Sequence, residues 1–476
     1  MAAELADAFV FYGASGDLAF KQIFPSLQDL VAAGELDIPI IGVASSDWSV
    51  DDLRARARES IEEHGTLDED AFSRLAGLLR YVAGDYEDPK TYEALRDQLE
   101  GCVRPVHYLA IPPSLFSVVV NGLAAVGCNE NARIVVEKPF GRDAKSSEEL
   151  NELLHRHFSE ERIYRIDHYL GKDPVQNIVY TRFANPIFEP VWKRSYVRAI
   201  QITMAESFGV EDRGSFYDQV GTIRDVLQNH LLAVVANLCM EPPSSGSSDA
   251  VRDARALLLK AVRPLTPADV VRGQYAGYRG ERGVRPQSTT ETFVAVRLWI
   301  DTWRWAGVPI YIRSGKHLPI TTTEISVQFH RPPHDIFGEV VPRSSSHLRF
   351  RISPDISIAM GMRVKQPGDR MIGDDVELML AEQPAVMVPP YVRLLGDAIK
   401  GSTELFTRED LVAAQWAVVE PILGDVTPVY PYEQGEWGPD EAIGIIGLDG
   451  PWVDPRKERT PGSTIIPPAP PMPPSS

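Results

Sequence analysis

A short apolar run stops at a glycine turn and passes into a helical pattern at the start of this chain. The same unit then recurs through the first 170 residues. Ala8–Tyr12 (AFVFY) ends at Gly13-Ala14-Ser15-Gly16-Asp17-Leu18-Ala19, and a helical pattern covers 20–33. Residues 38–44 (IPIIGVA), 81–83, 106–111 (VHYLAI) and Arg133–Glu137 (RIVVE) are further apolar runs. Helical patterns at 50–63, 69–80, 89–99, 115–126 and 144–157 separate them. Continuous apolar strands that alternate with helices bury both faces as a parallel sheet with helices on either side. The expectation is a Rossmann-like, doubly wound α/β domain over residues 1–170. In such sheets ligands collect at the carboxyl ends of the strands. Gly13, Ser45, Asp85, Pro112 and Lys138 all stand at those ends.

The glycines of the first turn let the backbone approach a pyrophosphate, and the helix N-terminus offers free N–H groups. Gly13, Ala14, Ser15, Gly16, Asp17 and Leu18 are therefore candidate cofactor contacts. The spacing is GxxG, not GxGxxG, and a plain tight turn explains it equally well. Ser45, Ser46 and Asp47 close the second apolar run, where the adenine ribose is read in this fold. An acid there bonds a 2′-hydroxyl, whereas an arginine favours a 2′-phosphate, and 45–48 holds no arginine.

Residues 165–173 read RIDHYLGKD. Asp167 can orient an imidazole, His168 and Lys172 can point donors at an anion, and Gly171 lets the backbone bend. The segment suits a site that grips a phosphate and moves a proton, and reads equally as a surface loop entering a helix. Glu137-Lys138-Pro139 recurs in sugar-oxidising dehydrogenases, where the lysine bridges substrate and nicotinamide. It is also an ordinary charged strand end.

Beyond Pro190 the periodicity changes. Residues 196–204, 292–300, 308–313 and 325–329 alternate and carry β-branched and aromatic side chains, as in a mostly antiparallel sheet. Residues 223–238 read as a strongly apolar helix with Asp225 and His230 more than one turn apart and able to face the same cleft, although a lone histidine there reads first as a core residue. Residues 273–288 are expected to be a long excursion and 332–346 an irregular stretch. An α+β domain over 171–455 and a proline-dense tail over 456–476, disordered or extended against the surface, complete the plan.

The net charge of -18 argues against nucleic acid and against an anionic membrane surface, and requires any phosphate site to gather its cations locally. Cys102, Cys128 and Cys239 are scattered, which fits a reduced cytoplasm and gives no metal framework. No apolar run is long enough to span a bilayer.

With these residues laid out, the chain resembles glucose-6-phosphate dehydrogenases from about Phe9 to about Trp452. The likeness rests on GASGDLA (13–19), EKPFG (137–141), RIDHYLGK (165–172), RFAN (182–185), IRDVLQNHL (223–231), MEPP (240–243), RGQYAGY (272–278), RWAGVPIYIRSGK (304–316) and WGP (437–439). It implies oxidation of glucose 6-phosphate at C1 to 6-phosphogluconolactone, with hydride transfer to NADP or possibly NAD and without a metal. His230 would be the general base and Asp167 its orienting carboxylate. His168 and Lys172 would bind the phosphate, Glu206 and Asp225 the sugar hydroxyls. Lys316 would add a cation near the substrate, and Lys138 would reach substrate and nicotinamide. A cytoplasmic homodimer or homotetramer in the oxidative pentose phosphate pathway is also implied.

Three departures from that pattern remove positive charge. Gln22 stands where the family carries a lysine, Ser45 where it carries an arginine, and Thr321 or Thr322 where another basic residue is usual. They predict relaxed NADP preference, or a turn to NAD. They also leave two alternatives, a paralogue acting on another hexose phosphate and a non-catalytic regulatory homologue.

Overall fold

The computed structural model describes residues 5–338, 341, 346–383 and 388–456. Of the proline-dense tail only Arg456 falls inside that range. The first half forms a seven-stranded sheet in the order Phe406–Thr407, Ile163–Ile166, Arg133–Glu137, Pro105–Leu109, Ala8–Tyr12, Ile40–Ala44, Leu79–Ala83. All neighbours are parallel except Phe406–Thr407, which runs antiparallel to Ile163–Ile166. Ala8–Tyr12, Ile40–Ala44 and Pro105–Leu109 are buried along their whole length, as continuous apolar runs in a two-sided sheet must be. Pro105 opens its strand, where a missing N–H costs no ladder bond.

Two details differ from the sequence reading. The helix expected over 69–80 ends at Leu78, because Leu79 and Arg80 already pair with Ile40 and Ile41 in the sheet. The parallel sheet also draws on distant chain. Helix Pro390–Lys400 and Phe406 pack Leu394, Leu395, Ala398 and Ile399 against Phe9, Phe11 and Tyr164 on one sheet face.

The second sheet has nine strands in the order Gly373–Gln383, Ile356–Lys365, His347–Ser353, Thr322–Phe329, Val197–Ala205, Ile310–Gly315, Phe293–Leu298, Val270–Tyr275, Val429–Tyr432. It is mostly antiparallel. Ile310–Gly315 runs parallel to Val197–Ala205, and Val429–Tyr432 runs parallel to Val270–Tyr275. The excursion expected from 273 therefore begins later. Gly273, Gln274 and Tyr275 are strand residues, with Gly273 pressed between Phe293 and Pro439.

His107 lies buried on Pro105–Leu109, bonded through Nε2 to the Cys128 carbonyl at 2.9 Å and through Nδ1 to the Tyr12 hydroxyl at 3.3 Å. Burial pushes its pKa down to about 4. The unfolded chain protonates this histidine below about 6.5 while the fold resists doing so, hence stability falls as pH drops from about 6.5 towards 4. We expect this one group to remove about 2–3 kcal/mol by pH 4.5. Denaturant unfolding at pH 7 and 4.5 measures it, and His107→Gln should flatten that part of the pH dependence.

Candidate active site

Two neighbouring strands of the parallel sheet deliver the first two side chains. Glu137 pairs with Ile166, so Lys138 and Asp167 leave adjacent strand ends. The third element is the apolar helix of the second half. Over Ile223–Leu231 it is a π-helix, and it becomes α-helical over Leu232–Cys239. On an α-helix Asp225 and His230 would point about 140° apart. The i→i+5 winding stacks residues five apart on one side. Lys138 Nζ accordingly donates to the Asp225 carbonyl at 3.0 Å and Oδ1 at 3.2 Å, and meets His230 Nε2 at 2.9 Å.

A buried carboxylate sets where this helix starts. Gly221 breaks the preceding helix at φ 68°, and a Cβ there would lie 2.4 Å from Glu291 Oε1. That oxygen accepts the Ile223 N–H at 3.1 Å, which fills one of the helix's orphan donors. Arg272 holds the other oxygen at 3.2 Å.

On the far side of the imidazole, His230 Nδ1 lies 2.5 Å from Asp167 Oδ1, and the Tyr169 N–H donates to the same oxygen at 3.0 Å. An ionised carboxylate only accepts, so Nδ1 carries the proton and Nε2 offers its lone pair to Lys138. Burial pushes Asp167 up, but His230 and hydrogen bonds outweigh it and hold the carboxyl at about 2. Burial pushes His230 below its ordinary value, against the pull of Asp167. The pair at neutral pH is therefore a neutral imidazole beside a carboxylate, the state a general base needs.

The loop 165–173 wraps this pair. The Tyr169 ring stacks on His230 with centroids 4.5 Å apart, and the His168 ring meets it edge-on at 4.5 Å. Lys172 Nζ lies 3.8 Å from the Tyr169 ring centroid. Burial lowers the pKa of Lys172, while Asp167 and Glu206 raise it. Burial, then His230 and Lys138, push His168 well down. Glu206 meets Lys316 at 2.6 Å, and Lys316 in turn stabilises the charge of Asp225. Lys138, Asp167, His168, Lys172, Glu206, Asp225, His230 and Lys316 thus form one linked cluster of charge. Tyr169, Glu291 and Arg272 belong to its framework and were not singled out by the sequence reading. Their residue types are those of ordinary core and loop positions.

The glycine turn lies at the end of the central strand. Gly13 adopts φ 80°, and a Cβ there would meet the Ala110 carbonyl oxygen at 2.4 Å. Its N–H donates to the Val43 carbonyl at 2.9 Å and to the Tyr86 hydroxyl at 2.8 Å. Ala14 is buried and Leu18 half-buried, while Gly16 and Asp17 are exposed, and Ser46 Oγ donates to Ser15 Oγ at 3.0 Å. The exposed Gly16 and Asp17 lie where a dinucleotide pyrophosphate approaches in this fold. Ser45 and Pro112 are exposed at their strand ends. The Asp85 carboxylate accepts the Glu87 N–H at 2.9 Å in a local turn.

Of the departures, Gln22 is exposed, and Phe20 in the same tripeptide is buried beneath Arg56, 3.6 Å above its ring. Thr321 Oγ1 accepts the N–H of Ser207, next to Glu206, at 2.9 Å. Thr322 is buried and donates to the Ser353 carbonyl. Among the described residues, His155, Glu160 and Glu409 approach one another as metal ligands could. Both Glu160 oxygens are engaged by Arg165.

Comparison with known proteins agrees with this architecture over nearly the whole chain. Residues 10–177 match the family model "Glucose-6-phosphate dehydrogenase, NAD binding domain", and 179–453 match "Glucose-6-phosphate dehydrogenase, C-terminal domain". Glucose-6-phosphate 1-dehydrogenase 1 of Mycobacterium tuberculosis is 43% identical over 455 residues, covering 94% of this chain and 97% of its own. The glucose-6-phosphate 1-dehydrogenase of Aggregatibacter actinomycetemcomitans is 40% identical, covering 93% of this chain and 96% of its own. The crystal structure of the Mycobacterium avium enzyme superposes with a TM-score of 0.90 at 42% identity, covering 96% of this chain and 100% of its own. A glucose-6-phosphate dehydrogenase in complex with its substrate glucose-6-phosphate gives 0.87 at 33% identity, covering 95% of this chain and 100% of its own. The chain belongs to the glucose-6-phosphate dehydrogenase family.

Proposed function

We propose that this protein oxidises glucose 6-phosphate at C1 to 6-phosphogluconolactone. The observation that carries the reading is the line from Asp167 through His230 to Lys138, in a chain whose family relatives are glucose-6-phosphate 1-dehydrogenases. His230 Nε2 takes the proton of the C1 hydroxyl. Asp167 keeps the other ring nitrogen protonated and stabilises the imidazolium that forms. His168 and Lys172 bind the phosphate, and Glu206 and Asp225 accept from sugar hydroxyls. Lys316 holds Glu206 in place and offsets its charge. Lys138 lies between His230 and Asp225, where it can donate to substrate oxygen as well.

A bound nicotinamide supplies the hydride acceptor for C1. Gly13 to Leu18 would hold the pyrophosphate, with Ser45, Asp85 and Pro112 along the same rim and Lys138 at the nicotinamide end. The cofactor is NADP, with NAD tolerated because Ser45 and Gln22 bring no cation to the cofactor side. One charge-assisted hydrogen bond is worth about 1.5–3 kcal/mol, roughly 10- to 100-fold in affinity. Ser45→Arg should therefore raise kcat/KM for NADP over that for NAD by about 10- to 100-fold. A strong NADP preference in the parent, unmoved by that substitution, would contradict the argument.

Activity as a cytoplasmic homo-oligomer in the oxidative pentose phosphate pathway follows from the same reading. Among the described residues, no helix is long and apolar enough to cross a membrane. The experiment is an absorbance assay for reduced nicotinamide with a panel of hexose phosphates and each cofactor. Glucose 6-phosphate should be the best substrate. Preference for an amino or deoxy sugar phosphate, or no turnover with any, would overturn the reading.

A further inference from the structure

Glu137 is the one acid in the Glu137-Lys138-Pro139 turn, and the mechanism above gives it no role. It is buried at the last position of Arg133–Glu137. The Tyr108 hydroxyl donates to its Oε1 at 2.6 Å, and the Tyr391 hydroxyl bonds the same carboxylate. Tyr108 comes from the neighbouring strand Pro105–Leu109 and Tyr391 from helix Pro390–Lys400. The Tyr108 hydroxyl donates, so Oε1 of Glu137 takes part as an acceptor. A buried carboxylate is costly unless its oxygens are satisfied. Here the satisfying groups are borrowed from two other elements at the foot of Lys138.

The same helix supports the other half of the site. A Cβ on Gly171 would lie 3.2 Å from Leu394 and 3.4 Å from the Pro390 carbonyl oxygen. Arg393 forms an ion pair with Asp173. The first turn of Pro390–Lys400 thus touches both the strand end that carries Lys138 and the loop that carries His168 and Lys172.

We propose that Glu137, clamped between Tyr108 and Tyr391, is the positioning residue for Lys138. It fixes the strand end from which the ammonium reaches His230 and Asp225. The inference rests on the roles given above to Lys138 and His230. The titratable groups around Lys138 are Asp225 and His230 from the π-helix, His168 and Lys172 from the loop, and Glu137 from its own strand. Burial raises the pKa of Glu137, and the two tyrosines and Lys138 oppose that rise.

Glu137→Gln keeps the shape and replaces one acceptor oxygen of the clamp by an NH2 donor. In the full-length protein, kcat should fall about 10- to 100-fold, the cost of a misplaced catalytic group, with KM for glucose 6-phosphate changed less than about threefold. A loss of packing alone would lower the melting temperature without this split of kcat from KM. Folded Glu137→Gln with kcat unchanged, or with KM raised as much as kcat falls, would overturn the proposal. If that variant does not fold, Tyr391→Phe decides, with a several-fold fall in kcat at constant KM expected and an unchanged kcat against it. An inactive parent, or a Lys138→Ala variant as active as the parent, would instead refute the roles on which the inference rests.

Discussion

His230→Asn should lower kcat by about two to four orders of magnitude, the usual contribution of a positioned general base. The asparagine fills the space and still donates to Asp167, so the change removes the basic nitrogen and little else. Asp167→Asn should cost a comparable factor by a different route. A carboxamide can offer an N–H to Nδ1, which would turn the imidazole to the tautomer that presents Nε2–H to the substrate. The two variants are told apart by pH. Burial holds His230 below its ordinary value and Asp167 pulls it back. In the parent the base is therefore neutral at pH 7, and kcat/KM falls as pH drops through the imidazole's pKa. Without the Asp167 charge that pKa falls further, so the acid limb of Asp167→Asn should lie at lower pH than the parent's. Steady-state rates across pH check both statements. A His230→Asn protein within tenfold of parent kcat would mean that another group is the base.

Lys172→Gln should raise KM for glucose 6-phosphate about 10- to 100-fold and change kcat much less. The ammonium rests on the Tyr169 ring at 3.8 Å, and burial lowers its pKa, so the site is short of negative charge there. A phosphate dianion supplies that charge. His168, also pushed down by burial and by its cationic neighbours, should gain a proton or a hydrogen bond as the dianion arrives. Oxidation of free glucose at high concentration is the control. Lys172→Gln should leave its kcat/KM nearly unchanged, and an equal loss on both sugars would place Lys172 somewhere other than at the phosphate.

The alternation of strands and helices was readable because a two-sided parallel strand leaves an unbroken apolar run. Arg133–Glu137 and Ala8–Tyr12 end where their sequences suggest. Features set by distant partners were not readable. Phe406 and Thr407 are a two-residue strand that exists because Ile163–Ile166 has a free edge. Nothing local marks Pro390–Lys400 as part of the first sheet's core. The π-winding of Ile223–Leu231 is equally silent, because apolar residues there satisfy α and π periods alike. Asp225 and His230, more than one turn apart in sequence, both reach Lys138 through that winding. The clustering of Asp167, His168 and Lys172 was legible because a few residues of chain carry all three. The site's rigidity was not, since Glu291, Arg272 and Tyr169 act through contacts between segments far apart in sequence.

The most direct test follows deuterium from C1-labelled glucose 6-phosphate into the cofactor, with parent and His230→Asn proteins compared at equal folded concentration. The parent should yield reduced nicotinamide that carries the label, and His230→Asn should form it orders of magnitude more slowly. Reduced cofactor without deuterium, or transfer by His230→Asn at the parent's rate, would contradict the assignment of C1 as hydride donor or of His230 as the group that deprotonates it.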